Sequence, residues 1–274
     1  MTARVETGPS WEMREGRWQD VLADVEADAL ISDPPYSPRQ SDGFRSGKDY
    51  VRKNGARSAG ALGHSGTITA FQGMPYAPMS QDFADEMAER FRDVAWTVVF
   101  SDHISFRWWE SAFDGVGRYV FAPVVWLRGN APRFQGDGPC SAAEYICVSR
   151  PRRKTSCGSL PGFYAVTPLK GEAMSQRIVT GQKPVPLMRA LIRDYTRPGD
   201  LVVDPCAGSG TTLLAAAIEG RRAIGAEMDP HTFDLAVARL RKGYTPSMFS
   251  GLEKRSTEQS DLFDHDEAAI SSSD

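Results

Sequence analysis

The residues with the clearest chemical reading are Asp33-Pro34-Pro35-Tyr36, which follow the short apolar run DALIS. Two consecutive prolines have fixed φ and no N–H to donate, so they stiffen the chain and leave their carbonyl oxygens able to face a cleft. The Asp33 carboxylate beside the Pro34 carbonyl makes a double acceptor for an NH2 group, and Tyr36 adds an aromatic face for a planar ring. An amine on a nucleobase is a poor nucleophile because its lone pair is delocalised into the ring. Two acceptors on its hydrogens favour the pyramidal, localised form, so attack on an electrophilic methyl becomes feasible without a strong base. By its letters alone the same tetrapeptide also reads as a turn carrying a buried tyrosine.

A second constellation is Asp204-Pro205-Cys206-Ala207-Gly208-Ser209-Gly210-Thr211-Thr212, a strand end that turns through glycines into a helix. The glycines let backbone N–H groups approach a ligand closely, and the helix N-terminus favours a carboxylate or phosphate. A phosphate-binding P-loop needs Lys after its last glycine, where Thr211 stands, so triphosphate hydrolysis is disfavoured. A dinucleotide fingerprint needs a third glycine where Leu213 stands. What remains fits a nucleoside with a short charged tail. Glu227, at the end of the next predicted strand, is placed to accept hydrogen bonds from ribose hydroxyls, although a lone glutamate there also reads as simply solvated.

These motifs need elements to position them. DLVVD, the glycine turn, TTLLAAAIEG, RRAIGAEMD and PHTFDLAVARLRKG read as a βαβα unit, with Pro230 in the last helix's first turn and Gly243 at its end. DALISD (28–33), QDFADEMAERF (81–91), VAWTVVFSD (94–102) and HISFRWWESAFDG read as a second such unit. RYVFAPVVWL and AEYICVSR, joined by GNAPRFQGDGPCS, suit an antiparallel hairpin on the sheet edge. The expected fold is therefore α/β: a Rossmann-like, doubly wound, mostly parallel sheet with an antiparallel hairpin at one edge. One domain is expected over residues 1–250, with a catalytic half at 16–125, a recognition region at about 128–180 and a cofactor half at about 181–242. Trp18 and Ile31 read as core, and Trp108 and Trp109 as helix packing.

Two stretches resist this scheme. Residues 37–80 form a Gly-, Ser- and Arg-rich segment far longer than an ordinary connection, directly after a strand end where open α/β sheets place their sites. Residues 150–183 show little periodicity. The chain of 274 residues has a net charge of -3, but residues 251–274 hold seven acidic and two basic residues, so the remainder carries +2. That last stretch reads as a disordered acidic tail. Basic clusters lie at Arg39, Arg45, Lys48, Arg52, Lys53 and Arg57 and at Arg150, Arg152, Arg153 and Lys154. No apolar run is long enough for a membrane span, and the start lacks a hydrophobic signal core, so a cytoplasmic protein is expected. Four cysteines without CxxC spacing point to reduced thiols, not to a metal site or a disulfide framework.

Asp-Pro-Pro-Tyr, then Gln182-Lys183-Pro184, then Asp-Pro-Cys-Ala-Gly-Ser-Gly-Thr-Thr, in that order over roughly residues 16–242, resemble the S-adenosylmethionine-dependent DNA amino-methyltransferases of the beta arrangement. In that group the catalytic half precedes the cofactor half. Protein-glutamine and most RNA amino-methyltransferases with a similar Pro-Pro-Tyr motif have the reverse order. The resemblance implies a class I methyltransferase fold that transfers a methyl group to the exocyclic N6 of adenine in double-stranded DNA. The base would be swung out of the duplex, held by Asp33 and the Pro34 carbonyl within Asp33-Pro34-Pro35-Tyr36, and stacked on Tyr36. Asp204 through Thr212 would cradle the methionine part of S-adenosylmethionine, with Lys183 near its carboxylate, Glu227 on the ribose and Asp20 at the adenine end. DNA would meet Arg39, Arg45, Arg52, Lys53, Arg128, Arg133, Arg152, Arg153 and Lys154. A homodimer is compatible with the resemblance, and no residue pattern demonstrates one.

The departures matter as well. Cys206 stands where the family often has Phe, which removes a ring from the cofactor pocket. Gly16 is followed by Arg17 where the family commonly has Asp. Cytosine N4 methylation is the alternative within the class, where Ser more often precedes the two prolines. A catalytically silent DNA-binding regulator is the alternative of another class, against which the intact Asp33, Tyr36, Gly208 and Gly210 argue. The recognition sequence, and a solitary, restriction-linked or phage role, stay open.

Overall fold

Apolar runs with no alternation belong in strands covered on both faces, and four of them form the centre of this molecule. The computed structural model describes residues 3–38, 78–131, 141–152, 158–166, 178–179 and 181–243. In chain order these contain β1 (Val5–Thr7), β2 (Trp11–Glu15), α1 (Trp18–Val21), β3 (Ala29–Ser32), α2 (Gln81–Arg90), β4 (Trp96–Ser101), α3 (Ser105–Gly115) and β5 (Arg118–Val120). There follow β6 (Val124–Ala131), β7 (Ser141–Pro151), β8 (Phe163–Tyr164), α4 (Val185–Tyr195), β9 (Leu201–Asp204), α5 (Thr211–Ile218), β10 (Arg222–Glu227) and α6 (Pro230–Lys242). Residues Met1–Lys242 make one compact unit, and of the remainder only Gly243 is described.

The described strands form one sheet in the order β1-β2-β10-β9-β3-β4-β7-β6-β8, with β5 also paired to β7. β2, β10, β9, β3 and β4 run parallel, and β1 and the β6–β7 hairpin are antiparallel additions. The expected doubly wound sheet is therefore present, with the hairpin docked on β4 and the short β8 outside it. The chain leaves β3 toward β4 on one side and β9 toward β10 on the other, so the topological switch point lies between β3 and β9. These two strands pair only through Ala29↔Val202 and Leu30↔Val203. Their backbone pairing stops there, and it is at the carboxyl edge of such a switch point that open α/β sheets place their binding crevice.

The helices cover this sheet with apolar faces. Ala84, Met87 and Ala88 of α2 recur at helical spacing and pack with Trp18, Phe91, Trp109 and Phe113 into one core cluster. Trp18, Ile31 and Trp109 are buried, as their apolar context predicts. Ser80 caps α2, its hydroxyl accepting from the Phe83 N–H at 3.3 Å. The β1–β2 hairpin, α1 and α4 are elements the sequence reading does not place. α4 nevertheless follows helical periodicity, burying Val185, Leu187, Met188, Leu191, Ile192 and Tyr195. No helix among the described residues is long and apolar enough to cross a membrane.

Candidate active site

The crevice is floored by the ends of β3 and β9, and one side-chain bond ties them together. The Ser32 hydroxyl donates to Asp204 Oδ1 at 2.7 Å, and the same oxygen accepts the Cys206 N–H at 3.1 Å. Asp204 is thus buried inside the turn, and burial pushes its carboxyl up to about 6. Thr212 also bonds to it. Asp204, expected in the cofactor cradle, closes the turn from within.

The turn from Pro205 to Gly210 is held from behind. Arg239 of α6 donates to the Ser209 carbonyl at 2.9 Å and to Thr211 Oγ1 at 2.7 Å, while the Ser209 and Thr211 hydroxyls lie 2.9 Å apart. These hydroxyls are buried, so backbone N–H groups are what the start of α5 can offer a ligand. Gly210 has φ 71°, and a Cβ there would stand 3.2 Å from Leu240 Cδ1. Gly225 on β10 is required by proximity, since its Cβ would lie 2.8 Å from Ala207 Cβ and 2.9 Å from Leu213 Cδ1. Cys206 is half-buried and packs on the core, burial and the neighbouring acidic groups raising its thiol well above the usual range.

Glu227 ends β10 half-buried, one carboxylate oxygen accepting the Asp229 N–H at 2.8 Å. Burial pushes its carboxyl upward. Gly16 follows β2, its N–H bonded to the Glu227 carbonyl at 2.9 Å, and the exposed Asp20 lies in the adjoining α1. Glu227 and the α1 start therefore share one end of the carboxyl edge.

At β3 the partners come from far along the chain. Asp33 Oδ2 accepts from Lys183 Nζ at 2.6 Å, and Lys183 also donates to the Tyr36 hydroxyl at 3.1 Å. Tyr36 donates in turn to Glu144 Oε2 at 2.7 Å, and that oxygen lies 3.2 Å from Lys183 Nζ. Arg128 donates to Glu144 Oε1 at 2.7 Å. The lysine ammonium lies 4.9 Å from the Phe100 ring centroid, 5.2 Å from that of Tyr36 and 6.0 Å from that of Trp126. Among the described residues, Asp33 Oδ1 is buried with no hydrogen-bond partner. Burial raises the Asp33 carboxyl, against the opposing field of Lys183. Burial would also raise Glu144, but Lys183, the Tyr36 hydroxyl and Arg128 outweigh it and hold that carboxyl low. Burial alone would lower Lys183, yet the two carboxylates keep it an ammonium. Burial and the same carboxylates lift Tyr36 well above its ordinary range, so its hydroxyl remains a donor.

The tetrapeptide itself is anchored through the next residue. Buried Ser37 donates to Asp102 Oδ2 from its N–H at 3.1 Å and its hydroxyl at 2.5 Å. Asp102, just past β4, accepts on its other oxygen from the N–H groups of Ile104 and Ser105. These donors hold its carboxyl low despite burial. The Tyr36 carbonyl also accepts the Met79 N–H at 3.1 Å.

The structure thus brings Asp33, Tyr36 and Lys183 together beside the glycine turn, with buried Pro34 and half-buried Pro35 in the same segment. Lys183, expected near a cofactor carboxylate, has its ammonium bonded to Asp33 and Tyr36 and 3.2 Å from Glu144 Oε2. Arg128, expected at DNA, donates to Glu144 Oε1 from a partly exposed position. Arg150 donates to the Pro151 carbonyl and lies over the rings of Tyr119 and Phe121. Arg152 is exposed and pairs with exposed Asp114 at 2.5 Å, a contact worth little in water. Arg39, Arg45, Arg52, Lys53, Arg133, Arg153 and Lys154 lie outside the described residues. Sequence reasoning missed Glu144, Asp102, Ser37 and Arg239. Of these only Asp102 carried a signal, as an acidic residue ending a predicted parallel strand.

Several known proteins resemble parts of this chain. The family model described as DNA methylase (N6_N4_Mtase) matches residues 163–238. The type II methyltransferase M.Cfr9I of Citrobacter freundii is 43% identical over 150 residues, covering 48% of this chain and 49% of that protein. The chain spans about half the length of the curated relatives it matches. Among solved structures, the M1.HpyAVI–SAM complex superposes with a TM-score of 0.58 at 18% identity, covering 84% of this chain and 98% of that one. The PvuII DNA methyltransferase (cytosine-N4-specific) gives 0.56 at 18% identity, covering 92% of each chain. At such identities these two likenesses speak for the fold.

Proposed function

We propose that this chain is an amino-methyltransferase of the N6-adenine/N4-cytosine kind, and that the site between the ends of β3 and β9 methylates the exocyclic N6 of adenine in double-stranded DNA, with S-adenosylmethionine as methyl donor. The observation that carries this reading is Asp33 Oδ1, a buried acceptor with no partner among the described residues, beside a glycine turn opening onto the same edge of the sheet. An unpaired buried acceptor costs free energy until a donor reaches it, and an amine hydrogen is such a donor.

The residues present fit the methyl donor. Gly208 and Gly210, both at positive φ, keep Cβ atoms out of the turn, and the N–H groups opening α5 favour a carboxylate. Glu227, partly buried at the next strand end, offers an acceptor for ribose hydroxyls. When bound, S-adenosylmethionine supplies a methyl group on a sulfonium, electrophilic enough for an amine to attack. The protein's own part is to prepare that amine. Asp33 Oδ1 and the Pro34 carbonyl accept its two hydrogens and localise the nitrogen lone pair, while the Tyr36 ring packs against the base. Lys183 opposes the burial that raises the Asp33 carboxyl and so favours its ionised, accepting form. The exposed Arg152, together with the basic residues outside the described part, supplies sequence-independent attraction to phosphates.

Cytosine N4 is the second reading, favoured by the likeness in fold to the cytosine-N4-specific PvuII enzyme. Both bases present an amine to the same acceptors. Asp33→Ala and Glu227→Ala test the division of labour. Asp33→Ala should lower methyl transfer by at least about a thousandfold with cofactor affinity nearly unchanged, since the amine loses its charged acceptor. Glu227→Ala should weaken cofactor affinity by about tenfold in calorimetry, as expected for one lost charged hydrogen bond. Equal loss of both properties in the Asp33 variant would make that residue structural and remove the support for this reading.

A further inference from the structure

We infer that Glu144 is a positioning residue for this site: it fixes the Tyr36 ring from β7 and shares Lys183 with Asp33, leaving Asp33 Oδ1 open to the substrate amine. The inference rests on the proposed methyl-transfer reading and deepens it.

Glu144 belongs to no motif and sits in a strand whose neighbours are largely apolar, opposite Trp126 of β6. A carboxylate that is only 8% exposed is costly unless its oxygens are satisfied, and here both are, by Tyr36 and Lys183 on one oxygen and Arg128 on the other. Ion pairs of this kind are poor devices for stability alone, because apolar residues of similar volume commonly serve as well. Their value lies in fixing geometry. A tyrosine held only by packing can turn about two side-chain torsions, whereas a hydroxyl tied at 2.7 Å pins the far end of the ring and so the direction of its axis, and the preference of a phenolic O–H for the ring plane resists turning about that axis.

The second consequence is electrostatic. Lys183 Nζ stands 2.6 Å from Asp33 and 3.2 Å from Glu144, so one ammonium faces two carboxylates whose fields also act on each other. Without Glu144 its negative field on Asp33 would be gone, and the field of Lys183 would act unopposed by it and make Asp33 a weaker acceptor for an amine hydrogen. The charged and titratable groups acting on Asp33 are Lys183, Glu144 and Tyr36, with Asp204 across the crevice, while Arg128 acts on Glu144. The opposed directions of the two carboxyls, Asp33 upward and Glu144 downward, agree with this arrangement.

The test is Glu144→Gln, which keeps the shape and an amide oxygen for the Tyr36 hydroxyl but removes the charge. Cofactor and DNA affinities should stay within about twofold, while kcat for methyl transfer falls by about tenfold, the mark of an interaction made in the transition state. Asp33, followed by NMR in 13C-aspartate-labelled protein and assigned with Asp33→Asn, should titrate at lower pH, and the acid limb of kcat should move with it. Glu144→Asp restores the charge on a shorter arm and should return the Asp33 titration toward that of the parent protein. An unchanged Asp33 titration in the Gln variant would overturn the inference, as would a fall in kcat matched by an equal fall in cofactor affinity. A parent protein that methylates no DNA would overturn the functional reading instead, and the Asp33 titration would still decide the role of Glu144.

Discussion

The two strand ends that flank the crevice are built by different means. At β9 the glycine turn and the first turn of α5 are set by residues close in sequence: Asp204 caps Cys206, Gly210 supplies the left-handed step, and Ser209 meets Thr211. At β3 the decisive partners of Asp33-Pro34-Pro35-Tyr36-Ser37 lie 65 to 150 residues away, in Asp102, Glu144 and Lys183. The first end is a local conformation that a nonapeptide can specify. The second is an assembly of buried charges that exists only once the parallel strands, the β6–β7 hairpin and the segment before α4 have docked.

Substitutions can sharpen that contrast. The largest effect is expected from Gly225→Val, which forces side-chain atoms against Ala207 and Leu213 behind the turn. Overpacking of this kind should cost about 3 kcal/mol in denaturant unfolding and disturb the cofactor end first. Arg239→Met is next. Removing its bonds to the Ser209 carbonyl and Thr211 should loosen the turn and lower cofactor affinity by about tenfold, leaving DNA affinity as it was. Ser37→Ala should act at the other end and more weakly. Asp102 keeps the N–H donors of Ser37, Ile104 and Ser105, so kcat should fall by about fivefold with cofactor affinity unchanged. If Arg239→Met lowered kcat at saturating cofactor, or Ser37→Ala weakened cofactor binding, the separation of the two ends would be lost.

The same contrast explains what the sequence disclosed. β3, β4, β9 and β10 are legible because each is a continuous apolar run, and the order of the two motifs follows from the letters alone. The glycine turn is legible for the same reason of locality. The β1–β2 hairpin was not, since its strands of three and five residues carry mixed burial and no turn signature strong enough to stand out. Lys183 was read near a cofactor carboxylate, and its bonds to Asp33 and Tyr36 were not foreseen, because a motif gives a residue's neighbourhood in sequence and not the distant groups that meet its ammonium. Glu144 lay in AEYICVSR, where one acidic residue in an apolar strand looks like a solvent-facing position. Only the docking of β7 beside β4 turns it inward onto Tyr36.

The central claim is that this crevice hands a methyl group to a base amine. It is tested most directly by incubating the purified protein with labelled S-adenosylmethionine and unmethylated bacterial DNA, digesting the product to nucleosides and identifying the modified one by mass. The account predicts label in N6-methyldeoxyadenosine, absent with Asp33→Ala; label in N4-methyldeoxycytidine would keep the mechanism and change the base. DNA that stays unlabelled while the protein binds the cofactor would contradict it.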